Sequence, residues 1–123
     1  MIKIPLYKIK IKIEVLENLE SVKKRYNYYI KKFKLCDIDD PEKYYEGMVI
    51  VNPNNTAEIV LMYSKDSLTI NTITHEVYHL TNLILETQGT QLNPNDDEHH
   101  AILNGYLNEE VFKYLKKKCL ITL

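Results

Sequence analysis

Thr74-His75-Glu76-Val77-Tyr78-His79-Leu80 is the stretch on which the reading of this chain turns. On an α-helix, positions i and i+4 stand one above the other on a single face. His75 and His79 can therefore offer two imidazole nitrogens to one ion. Glu76 follows by one position, about 100° around the helix. It points beside such an ion rather than at it, where a base acting on a coordinated water has to be. Two neutral imidazoles at helical spacing with an adjacent carboxylate are what one helix contributes to a catalytic zinc site. The competing reading is a helix carrying two solvated or core-satisfied histidines; the residues downstream favour the site.

Working outward, Ile73, Val77, Leu80 and Ile84 form one apolar stripe of this helix. His75 and His79 lie roughly opposite, flanked by Leu68 and Leu83. Apolar residues on both sides predict a helix buried between layers, with its histidines facing something other than bulk water. The helix is expected from about Ser67 to Gln88, with cap candidates in Ser64 to Ser67 and Gly89 as its stop. Upstream, Gly47 to Asn52 and Ala57 to Tyr63 read as strands. The turn-rich Asn52-Pro53-Asn54-Asn55-Thr56 joins them into an antiparallel hairpin. Leu6 to Val15 alternates Tyr7, Ile9, Ile11, Ile13 and Val15 with Lys8, Lys10, Lys12 and Glu14, a strand with one buried and one charged face. Leu19, Val22, Tyr26, Ile30 and Phe33 then mark an amphipathic helix from about Asn18 to Lys34. Asp37 to Pro41 is a loop.

Downstream, Gln91 to Asn95 reads as a loop. Asn93 or Asn95 caps a final helix to about Lys118, with Asp96, Asp97 and Glu98 in its first turn. Ala101, Ile102, Gly105, Asn108 and Phe112 make the stripe expected to pack on the motif helix, with Gly105 permitting close approach. The order is β-α-β-β-α-α. It predicts an α+β fold: one domain over residues 1–123, a small mixed or antiparallel sheet of about three strands, and three helices, the motif on the second.

The 123 residues have a composition ordinary for a globular domain, 45% hydrophobic and 27% charged. A net charge of −1 gives no global pull towards nucleic acid or an anionic membrane. Lysines crowd the first third, a pattern read as a solvated basic face. Cys36 and Cys119 are too few and too far apart for a disulfide scaffold and read as reduced thiols. The N-terminus alternates apolar residues with lysines, unlike a signal peptide. The expectation is a cytoplasmic protein.

A catalytic zinc takes three protein ligands and keeps one position open. Glu86 lies about 10 Å beyond His79 on the same helix and is too far to be the third. Glu98 is the preferred candidate because it is in phase with Ala101, Ile102 and Gly105. His99, His100 and Asp97 are the alternatives, and Asn95-x-x-Glu98 also fits a capping box, in which Glu98 only closes its own helix.

His75-Glu76-Val77-Tyr78-His79 followed by Glu98 resembles the zincin metallopeptidases, specifically the gluzincins. The chain is also similar to small single-domain zincin-like proteins of phage and bacterial genomes, through Asp97-Glu98, Ala101 and Gly105-Tyr106-Leu107. The likeness covers about residues 57–115. It implies a minimal zincin-like domain, a small mixed sheet with an edge strand, and two helices clamping Zn²⁺ through His75, His79 and Glu98. It further implies hydrolysis of peptide bonds, with Glu76 as the base. Tyr106, His99 and His100 are candidates for steadying the oxyanion. A protein or peptide substrate is expected along the strand Ala57 to Tyr63, taken as the sheet edge. Two other readings stand beside this one. One is a regulatory peptidase of the ImmA/IrrE type acting on a repressor. The other is a zincin-fold interaction protein that holds zinc and cuts nothing.

Overall fold

Ile9, Ile11 and Ile13 alternate with lysines in a strand, so their side chains point one way and are buried, while Lys10 and Lys12 stay exposed. In a computed structural model, which describes residues 1–4, 8–35, 46–87 and 98–122, this strand spans Ile9–Leu16. It is strand β2. A short strand β1, Ile2–Ile4, pairs antiparallel with it, Ile2 opposite Ile11. Helix α1, Leu19–Phe33, follows β2. Asn18 caps it by accepting the Ser21 amide at 2.9 Å, and Lys34 closes it in the left-handed conformation.

Strands β3, Gly47–Asn52, and β4, Asn55–Ser64, form the antiparallel hairpin that the turn residues predicted. Asn52 Oδ1 accepts the Asn54 amide within the turn. β4 then pairs parallel with β2, Ile11 opposite Ile59 and Ile13 opposite Leu61. The result is a four-stranded mixed sheet of order β1-β2-β4-β3. Ile59, Leu61 and Tyr63 of β4 face one side, and Val60 and Met62 the other; all five are buried. α1 covers the Val60 and Met62 side through Val22, Tyr29 and Phe33. Helices α2, Ile70–Thr87, and α3, Glu98–Lys117, cover the other. The architecture is α+β, with three α-helices among the described residues, in layers either side of the sheet.

Three expectations are corrected. The sheet has four strands, because Ile2–Ile4 adds an edge too short to register as a pattern. The segment Ala57 to Tyr63 is not an edge: β4 is hydrogen-bonded to β2 and β3 on its two sides, and β3 is the edge beside α2. The motif helix begins at Ile70, where Thr69 Oγ1 accepts the Thr72 amide at 3.1 Å; Lys65–Ser67 forms a separate 3-10 turn before it. Cys36, the Asp37 to Pro41 loop, Gly89, the Gln91 to Asn95 loop, Asp96 and Asp97 lie outside the described residues. Among the described residues no helix is long and apolar enough to cross a membrane.

Candidate functional site

α2 buries a broad arc containing Thr72, Ile73, Glu76, Val77, Leu80, Thr81, Ile84 and Leu85. The uncovered side of α2 includes a polar stripe, Asn71, His75, His79, Asn82 and Glu86, at helical spacing. With strand β3 this stripe walls a groove of about 970 Å³, completed by Tyr26, Leu35 and Leu83. The two imidazoles face this groove. The His75 side chain is 65% exposed, so the expectation that the histidines are shut away from water is corrected. α3 packs along the Leu80–Thr81–Ile84 side of α2 and leaves the histidine side open.

His75 Nε2 and His79 Nε2 stand 3.2 Å apart. Two nitrogens on one tetrahedral zinc at ~2.0–2.1 Å are separated by about 3.4 Å, so the pair already has the spacing of two ligands on one ion. Glu76 has the opposite environment. It is 8% exposed, with Oε1 3.9 Å from His75 Nε2. Its place is made by Gly47 at the start of β3: a Cβ there would meet Glu76 Cγ at 2.8 Å, Tyr63 Cδ1 at 3.0 Å and the Met62 carbonyl at 3.2 Å. Tyr63 donates to the Ile73 carbonyl at 2.9 Å. Burial, and then the Glu76 charge, raise the Tyr63 pKa, so the phenol stays neutral. Beyond it, Thr72 Oγ1 donates to Glu46 Oε2 at 3.4 Å.

The helical phase of α3 differs from expectation. Its buried face is Leu103, Leu107, Val111 and Leu115. Ala101, Ile102, Gly105 and Tyr106 are exposed, and a Cβ on Gly105 would touch nothing within 4 Å. Four-residue spacing of large apolar side chains sets the packing, and the small residues chosen from the sequence lie outside it. Glu98 shares the outer phase and is exposed; so is His99. Among the described residues no group of three or more His, Cys, Asp or Glu side chains converges to hold a metal. The structure therefore brings His75, His79 and Glu76 together, and does not bring Glu98 or Tyr106 to them. Of the two α3 histidines, His100 reaches α2: its Nε2 donates to Asn82 Oδ1 at 2.7 Å, and its ring lies 5.2 Å from that of Tyr78.

Gly47, Glu46 and Asn82 line the groove and were not singled out as site residues from the sequence; Glu86, set aside there as a zinc ligand, lines it too. Gly47 carried a signal, since glycine opening a strand marks a close approach. Asn82 and Glu86 carried another, their helical phase with His75 and His79. No protein-family model, no curated protein and no solved structure matches this chain.

Proposed function

We propose that the groove is the active site of a zinc-dependent peptidase. The observation that carries this reading is the pairing of two exposed imidazoles, Nε2 atoms 3.2 Å apart, with a carboxylate held almost out of water beside them. His75 and His79 would hold the metal. The pair fits two positions of a zinc site; no third protein ligand converges among the described residues, and Glu98 is the family-like candidate. A bound zinc supplies Lewis acidity, polarising a carbonyl and acidifying a water. Glu76 takes a proton from the attacking water and passes it to the departing amine, ending as a carboxylate again. Its burial against Gly47 fixes the carboxylate beside the imidazoles and limits competing hydration.

The substrate docks as an extended segment along β3, whose outer side has no strand partner among the described residues. This replaces the interior strand Ala57 to Tyr63 as the docking edge. The test loads the chain with zinc, measures bound metal, and incubates it with a diverse peptide pool. Wild type should retain zinc and cut; Glu76→Gln should retain zinc and not cut; His79→Ala should lose zinc. Cleavage that survives Glu76→Gln overturns the mechanism. Tyr106, His99 and His100 do not line the groove, and the lack of these oxyanion donors favours a second reading, a zinc-holding interaction protein, which the same experiment identifies by retained metal with no Glu76-dependent product.

A further inference from the structure

Charge is sorted over this molecule in a way the overall balance of 16 basic and 17 acidic residues conceals. Among the described residues lining the groove are Glu46, Glu76 and Glu86, and no lysine or arginine. Lys8, Lys10, Lys12 and Lys32 line a separate concavity, which also includes Tyr29 of α1. Within the groove the three carboxylates differ. Glu76 is buried beside the histidines, whereas Glu46 and Glu86 are exposed. Glu46 adjoins Gly47, at the end of the groove where Thr72 donates to its carboxylate. Glu86 continues the stripe of His75, His79 and Asn82, about 10 Å beyond His79 at 1.5 Å per residue. That length equals about three residues of extended chain. Between the two carboxylates the apolar part of the lining is Val49 and Val51 on the strand and Leu83 on the helix, beside the polar stripe of α2. A cleft rich in one sign of charge focuses the field on what enters it, and with no lysine or arginine in its described walls an acidic side chain away from the histidine pair finds no ion-pair partner.

We propose that the groove selects basic segments. Glu86 takes a lysine or arginine side chain about three residues from the bond held at the histidine pair, and Glu46 takes a second on the other side. Val49, Val51 and Leu83 accept apolar side chains between them. This rests on the peptidase reading of the same groove, and its test is therefore binding, not cleavage. The full chain carrying Glu76→Gln is titrated into two labelled ten-residue peptides, and fluorescence anisotropy is read. The peptides share an apolar centre; one is flanked by lysines and its twin by glutamates. The lysine peptide is expected to bind at least tenfold more tightly, with the gap narrowing in 0.5 M salt. Glu86→Lys, on an exposed helical position, is expected to shift the preference towards the glutamate twin. Equal binding of the two, no binding of either, or a preference unmoved by Glu86→Lys overturns the proposal. Lysine-peptide selectivity without cleavage by the zinc-loaded wild type leaves the charge reading standing and overturns the peptidase.

Discussion

Glu14 sits on the lysine-bearing face of β2, the face that α1 covers, and its carboxylate is almost out of water. Arg25 donates to it through Nε at 3.0 Å and Nη2 at 2.9 Å, and the Tyr29 hydroxyl at 2.8 Å. Burial alone would raise its pKa, but hydrogen bonds from Arg25, Tyr29 and Lys12 outweigh it and lower the value from 4.5 to about 2. A depressed carboxylate stabilises the fold fully above its unfolded pKa. That contribution is lost as pH falls from 4.5 towards 2. Glu14→Gln should thus cost about 2 kcal/mol at neutral pH, with the deficit shrinking through that window; denaturant titrations at pH 7, 4 and 2.5 check it. At Gly47 the space itself is at stake. Gly47→Ala places a methyl against Glu76 Cγ and the unyielding Met62 carbonyl, and should cost about 1–3 kcal/mol. Zinc affinity should survive while turnover falls, so isothermal titration beside a cleavage assay separates positioning from ligation. The imidazole pair was legible in five letters of sequence because i, i+4 is a purely local geometry. The burial of Glu76 was not, since it depends on a glycine 29 positions earlier in the chain.

Helix α3 shows where element-level reading fails. Both Ala101–Gly105 and Leu103–Leu107 repeat every fourth residue, and period alone cannot rank them. Buried area does: each large aliphatic side chain contributes about 1.5–3 kcal/mol when covered, and a glycine contributes none. Leu103, Leu107, Val111 and Leu115 therefore take the interface, and the phase of Glu98 follows from theirs. Two substitutions test this packing in opposite directions. Leu107→Ala should cost about 2–5 kcal/mol, since its side chain is fully buried. Gly105→Ala should stabilise by about 0.5–1 kcal/mol, because the added methyl meets nothing and the helix gains a better former. Had Gly105 been the contact, the second change would destabilise. Equilibrium unfolding of both variants decides it. By contrast Ile73, Val77, Leu80 and Ile84 on α2 had no rival stripe of comparable size, and all four are fully buried.

For the whole molecule, the proposed zinc site would link metal binding to folding. Ions that bind only the native groove raise stability by about 2.7 kcal/mol at a hundredfold excess over Kd. For a chain of this length that is a rise in Tm of about 10 °C. Scanning calorimetry with added zinc should show this rise in the wild type, lose it on chelation, and lose it in His79→Ala. The fold class, three helices and the β3–β4 hairpin followed from patterns within single segments. The strand order did not, because pairing β2 with β4 is decided by which residues 40 to 50 positions apart can share a core.

That parallel pairing orders events during synthesis. β2 emerges early but finds its neighbour only after Ser64 has been made, so the central pair cannot close on a shorter chain. At that moment Ile9, Ile11, Ile13, Ile59, Leu61 and Tyr63 form a bare apolar sheet face, which only the still-unmade α2 and α3 can cover. Until α2 and α3 follow Ser64 out of the ribosome, the nascent chain holds out a sticky half-protein, and this interval is where a holding chaperone is most needed.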